Sequence, residues 1–244
     1  MFFPSIRRHN PPINLIVIVL SLKILVGIGY NKNKKKASVL RPPLRTIDRP
    51  PQAAYTVSMT NALLKTVWTY ADYKAWELKP GERYEIIYGE AYAMSAPNAF
   101  HQSMLMELAK QIAIFLTGKE CKVYPAPYDV RLFYEEDESD DTVVQPDISV
   151  ICDKEKRGNE GCRGAPDFLV EILSPSNSAI EMQRKHNLYR EAGVREYWVL
   201  DGENRELTVY LFENGTIRSY GEKERVPVTV LKGLSVELEP VFAE

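Results

Sequence analysis

Phe168-Leu169-Val170-Glu171-Ile172-Leu173 is the stretch on which the reading of this chain turns. A short apolar run of this kind reads as a strand. Side chains alternate along a strand, so Phe168, Val170 and Ile172 take one face and Leu169, Glu171 and Leu173 the other. Both faces are apolar, which predicts a strand covered on both sides. An ionised glutamate there is costly unless a metal ion, a lysine or both pair with it.

Upstream, Asp147 follows Pro146 at the head of a second apolar run, Ile148-Ser149-Val150-Ile151-Cys152. Downstream, Ser174-Pro175-Ser176-Asn177-Ser178 is a turn and helix-start signal, and the helix it opens runs from about Ala179 to Ala192, ending at Gly193. On that helix Met182, Lys185, Tyr189 and Ala192 recur at intervals of three, four and three, so a lysine interrupts an inward-facing stripe. Asp147 and Glu171 on neighbouring strands could hold one hard cation through oxygen ligands, as Mg²⁺ requires. Such an ion activates a water and polarises a phosphoryl oxygen. Each residue also has a plainer reading: Glu171 as a sheet-edge acid paired to an arginine, Asp147 as a strand-opening turn residue, Lys185 as a snorkelling lysine.

Four weaker candidates are Glu85, Asp129 as a third acid, His101 as a holder of metal-bound water or a satisfied structural histidine, and Tyr189 as core. Arg184 is expected to face solvent. No Gly-x-Ser-x-Gly elbow and no His-Glu-x-x-His motif is present, so a serine nucleophile and a zinc protease site have no support.

The remaining pattern gives a helix over Tyr70 to Glu77, a hairpin of Arg83–Ile87 and Glu90–Met94 turning at Tyr88-Gly89, and a long helix opened by Pro97 and Asn98. That helix carries the stripe Met104, Leu105, Leu108, Ile112, Leu116. Alternation over Cys121 to Phe133 is broken in its first half by Pro125 and Pro127, and strands are expected at Glu196–Leu200 and Leu207–Phe212. The order favours one α/β domain with a mixed central sheet flanked by helices and an N-terminal β-hairpin.

Charge divides the chain of 244 residues. Residues 1–58 carry ten Lys or Arg and one Asp, whereas residues 59–244 carry 21 Lys or Arg against 32 Asp or Glu. An acidic body is not the usual footprint of a DNA binder. Within 1–58, Ile13 to Tyr30 is nearly apolar and a basic Pro/Arg-rich linker follows. The segment reads as a membrane anchor, with the rest in the cytoplasm, or as sequence upstream of a natural start at Met59; a secretory signal lacks a small-residue cleavage site. Three widely spaced cysteines, Cys121, Cys152 and Cys162, predict no disulfide framework and a reducing cytosol.

The chain also resembles a known family. The pieces that carry the likeness are Tyr84-Glu85-Ile86-Ile87-Tyr88-Gly89-Glu90, Asp129-Val130-Arg131-Leu132, Val144-Gln145-Pro146-Asp147-Ile148-Ser149-Val150, Ala165-Pro166-Asp167 with Val170-Glu171-Ile172-Leu173-Ser174-Pro175-Ser176, and Gly193-Val194-Arg195-Glu196-Tyr197-Trp198. As a set, spanning about Thr66 to Glu239, they resemble the Uma-type family of restriction-endonuclease-like proteins, a branch of the PD-(D/E)XK nuclease superfamily. The resemblance implies a restriction-endonuclease-like core over 59–244, Mg²⁺-dependent hydrolysis of DNA phosphodiesters (Mn²⁺ substituting), and a homodimer. It implies Asp147 and Glu171 as metal ligands and Lys185 as the lysine, displaced to the next helix, since Leu173 occupies the position two residues after the glutamate. Glu181 stands where the family shows Asp. The rival readings are a non-catalytic module that keeps the nuclease fold, with membrane attachment through residues 13–30 as one form of it, and a two-carboxylate glycosidase.

Overall fold

The computed structural model describes residues 67–174 and 177–243; the apolar run 13–30, the basic linker and the expectations placed on them lie outside the described residues. Helix α1 (Tyr70–Lys74) opens with a capping box, Thr69 accepting from the Asp72 N–H while Asp72 accepts from the Thr69 N–H. It stops short of the expected Glu77. Trp76 instead packs edge-on against Trp68, Tyr73 and Tyr84, at ring-centroid distances of 5.1, 5.5 and 5.6 Å.

Strands β1 (Tyr84–Ile87) and β2 (Glu90–Ala93) form the expected antiparallel hairpin. Both turn residues have positive φ, 50° at Tyr88 and 78° at Gly89, as a two-residue hairpin turn demands. Val67 packs so closely on Gly89 that a Cβ there would stand 2.4 Å from Val67 Cγ1. Helix α2 (Ala99–Leu116) is capped by Asn98, whose side chain accepts from the His101 N–H at 2.8 Å.

Then come β3 (Lys122–Pro125), β4 (Val130–Arg131), β5 (Val143–Val144), β6 (Ile148–Ile151), β7 (Cys162–Arg163) and β8 (Phe168–Ile172). Helix α3 (Ala179–Ala192) ends at Gly193 in the left-handed region, and β9 (Glu196–Asp201), β10 (Glu206–Leu211), β11 (Thr216–Gly221), β12 (Arg225–Pro227) and β13 (Ser235–Glu237) complete the chain.

The central sheet has the order β11-β10-β9-β8-β6-β3 and is mixed: β8 runs parallel to β9 and antiparallel to β6. The parallel step requires a crossover, and α3 is that crossover. A second sheet has the order β2-β1-β5-β4-β7. The stretch Cys121–Phe133 therefore does not behave as one alternating strand. Its first part is β3, an edge of the central sheet, and its second part is β4 in the other sheet, with the break at Pro127.

The decisive strand behaves as its alternation dictates. Phe168, Val170 and Ile172 join the α2 stripe of Met104, Leu105, Leu108, Ile112 and Leu116 in one core, while Leu169 joins Leu188 and Tyr189 of α3 and residues of the second sheet in another. Glu171 shares Leu169's face and so points toward α3 and the second sheet. Every residue of β8 is buried. Within the described residues no helix is long and apolar enough to cross a membrane.

The cysteine reading is corrected by the register of β3 on β6. Lys122 stands opposite Ile151, so the next pair outward is Cys121 and Cys152, and they are disulfide-bonded across a sequence separation of 31. Strand pairing brings together two cysteines that spacing alone kept apart, and the cysteine argument for a reducing compartment falls with it. Cys162 is free and buried, and burial pushes its thiol up to about 12. Native unreduced protein is therefore expected to show no fast-reacting thiol, unfolded unreduced protein one, and reduced unfolded protein three. Three thiols in the unfolded unreduced protein would rule out the pairing.

Candidate active site

A cleft of about 410 Å³ lies beyond the C-terminal end of β8, and its walls include Glu85, Asp147, Glu171 and Lys185. Ile148 pairs with Val170, so continuing the antiparallel register sets Asp147 across from Glu171. The Ile172 N–H donates to Asp147 Oδ2 at 2.7 Å, which ties the entry of β6 to the exit of β8. His101, from the first turn of α2, places Nε2 3.3 Å from the same Oδ2.

Lys185 reaches in from α3. Its ammonium lies 3.0 Å from Glu171 Oε1 and 3.0 Å from Glu85 Oε1. Tyr189, one turn further along α3, donates its hydroxyl to Glu171 Oε1 at 2.5 Å. Exposure of these side chains is slight: Glu85 4%, Glu171 7%, Lys185 5%. Lys185 is thus a buried ion-pair partner of two acids and not a snorkelling lysine, and Glu171 pairs with it rather than with an arginine.

The electrostatics are one-sided. Two carboxylates contact one ammonium, and a third, Asp147, adds its charge at Glu171. Burial pulls the lysine pKa down, but Glu171 and Glu85 outweigh it and hold the ammonium above the usual lysine range. Burial pushes the Glu171 carboxyl up to about 7; Lys185 opposes this, while Asp147 and Glu85 reinforce it. The site therefore keeps its ammonium and carries surplus negative charge. Burial also pulls the His101 imidazole down, yet the hydrogen bond and charge of Asp147 more than offset it, and its net shift is upward.

The donor chemistry fits a hard divalent cation. Asp147 spends Oδ2 on Ile172 and His101, and Glu171 spends Oε1 on Lys185 and Tyr189. Oδ1 of Asp147 and Oε2 of Glu171 have no protein partner among the described residues. Within those residues no group of three or more His, Cys, Asp and Glu side chains is arranged to hold a metal. Mg²⁺ is commonly held by one or two carboxylates, with waters and substrate phosphates completing the shell, so two acids suffice.

Asp147, Glu171 and Lys185 thus line one cleft. Glu85, given little weight in the sequence, proves to be the second partner of Lys185. Its signal was the alternation Glu85, Ile87 on one face of a buried hairpin strand. Asp129 does not line the cleft. It accepts from Gln145 Nε2 at 2.8 Å, and the Gln145 N–H donates to Glu85 Oε1 at 2.9 Å, so Asp129 stands one residue behind the site. His101 is not a fully satisfied histidine, since its buried Nδ1 has no partner. Arg184 is half-buried on the cleft wall rather than solvent-facing, because its guanidinium lies 4.4 Å above the Tyr92 ring. Glu181 accepts from Asn177 at 2.8 Å and sits in the first turn of α3, where a carboxylate suits the helix dipole.

The family model described as "putative restriction endonuclease", Uma2, matches residues 70–240. The chain belongs to the Uma2 family. An uncharacterised member of the curated proteins, slr1290 of Synechocystis sp., is 25% identical over 175 residues, covering 70% of this chain and 89% of its own length. Among solved structures, a "putative nuclease belonging to DUF820" from Anabaena variabilis superposes with a TM-score of 0.59 at 19% identity, covering 72% of this chain and 97% of that one. The Uma2 match takes in both sheets and both long helices, and with them the residues that line the cleft.

Proposed function

We propose that this Uma2 protein is a Mg²⁺-dependent DNA endonuclease that hydrolyses phosphodiester bonds. The observation that carries the reading is the meeting of Asp147 and Glu171 from adjacent strands in one cleft, with Lys185 on Glu171. Asp147 and Glu171 would hold the ion through the oxygens their protein partners leave unused. When bound there, Mg²⁺ supplies Lewis-acid polarisation of a phosphoryl oxygen and an acidified water. Ile172 and His101 fix the Asp147 carboxylate, and Tyr189 and Lys185 fix that of Glu171, so both acids are oriented before substrate arrives. The Lys185 charge stands beside the attack site and favours the developing negative charge on the phosphate. Cutting both strands of a duplex takes two such sites, so the reading expects a homodimer.

The full chain is expected to nick supercoiled plasmid with Mg²⁺ or Mn²⁺ and to stop when the metal is chelated. Gel electrophoresis of the plasmid reads both arms. Intact plasmid with either metal would sink the endonuclease reading and leave the non-catalytic module, which the acidic body of residues 59–244 favours.

A further inference from the structure

The cleft contains two guanidinium groups that the reaction proposed above does not use. Its charged walls are Glu85, Asp147, Glu171 and Glu181 against Lys185, Arg83 and Arg184. Lys185 is held by two acids. Arg83 and Arg184 are half-buried, and among the described residues neither makes a hydrogen bond or ion pair with a carboxylate. In an acidic body with acids close by, two cations left without anionic partners call for a ligand.

Arg184 is also held in place. Its guanidinium lies 4.4 Å over the Tyr92 ring, a cation–π contact that takes up side-chain freedom without supplying an anionic partner. A planar fork fixed in this way matches the paired oxygens of a phosphate. Arg83, entering β1, faces the same cleft from the second sheet, whereas Arg184 comes from α3. Because Tyr92 pairs with Glu85, the Arg184 guanidinium rests on the hairpin that Arg83 enters, and both cations line the cleft.

We infer that Arg83 and Arg184 hold backbone phosphates of the nucleic acid next to the scissile phosphodiester, with Tyr92 as the platform that positions Arg184. The inference rests on the endonuclease reading and adds its substrate contacts. It also limits them. With residues 59–244 carrying 32 acidic against 21 basic side chains, diffuse charge on that part of the chain does not draw nucleic acid in, and its own contribution to affinity depends on a few cleft cations. In the full chain the ten basic residues of 1–58 add their own salt dependence, so the share of the cleft is read as a difference, each arginine contributing about one to the slope.

The test is cleavage kinetics of the full chain over a range of KCl, with binding of a fluorescein-labelled DNA oligonucleotide followed by anisotropy alongside. Arg184→Gln and Arg83→Gln are each expected to raise KM and Kd about tenfold, leave kcat within about threefold and flatten the salt slope by about one. Arg184→Lys should recover the slope but little of the affinity, because it keeps the charge and loses the fork. Tyr92→Leu should resemble Arg184→Lys. Unchanged melting temperatures would separate these effects from misfolding. Wild-type KM, Kd and salt slope in both arginine variants would overturn the inference while leaving the endonuclease reading intact. Wild-type protein that binds without cutting, with binding weakened in the variants, would sustain the phosphate contacts and fail the hydrolysis. Wild-type protein that neither binds nor cuts would overturn both.

Discussion

Glu171→Gln is expected to cut the rate of metal-dependent plasmid nicking by at least about 100-fold, the order of effect seen when one stabilising group is removed from a reacting centre, while leaving the melting temperature close to that of the wild type. The two halves of this result have separate causes. A glutamine carbonyl can take the place of Oε1 and keep the hydrogen bonds from Lys185 and Tyr189, so the packing of α3 on β8 survives. The amide nitrogen then replaces Oε2, the oxygen that has no protein partner, and a cation loses a lone pair at that point. Lys185 also retains Glu85 as a counter-ion, so no buried charge is stranded. Time courses of nicking with Mg²⁺, beside thermal melts of both proteins, read the two halves independently. A folded variant that nicks at the wild-type rate would remove Glu171 from the site.

The largest effect on stability is expected at Lys185. Lys185→Met removes the one ammonium between two buried carboxylates, and stranding a buried charge in this way costs about 3–5 kcal/mol. Two further measurements separate this cause from loss of packing. The double variant Glu85→Gln/Lys185→Met should regain part of the loss, because one of the stranded charges is gone. The deficit should also shrink as pH falls from 8 toward 5.5. Burial already pushes the Glu171 carboxyl up to about 7, and without the ammonium it rises further. The folded variant then takes up protons that the unfolded chain does not bind until a lower pH, so lowering the pH favours folding. Urea denaturation at the two pH values checks this. A loss under about 1 kcal/mol at pH 8 would show that the buried acids are compensated by something other than Lys185.

These two substitutions bear on opposite demands. Asp147 and Glu171 are useful only if they keep free oxygen and charge in a dry place, and Lys185 is what makes three neighbouring carboxylates tolerable in the folded protein. Removing an acid at the centre therefore threatens activity first, and removing the base threatens the fold first. The disulfide between Cys121 and Cys152 lies outward along the same β6 whose entry carries Asp147, and it fastens the edge strand β3 to the sheet.

Much of this was legible in the amino-acid order. The alternation of Phe168–Ile172 put Glu171 on the correct face, because strand periodicity is a local property of the backbone. The stripe of α2 and the Gly193 stop of α3 are local for the same reason, and the interruption of the α3 stripe by Lys185 marked that lysine as unusual. What stayed hidden depended on contacts between residues far apart in the chain. Glu85 and Lys185 are 100 positions apart and meet only because the second sheet packs over α3. Cys121 and Cys152 pair through a strand register that no spacing rule encodes. Arg184 turned from solvent into the cleft because Tyr92, on a distant hairpin, offered it a ring. From the amino-acid order came the burial of Glu171 and Lys185 and the faces they occupy; only the tertiary structure decided which charges touch and that Glu85 and Arg184 join them, because a charge's partner is chosen by packing across the fold and not by its neighbours along the chain.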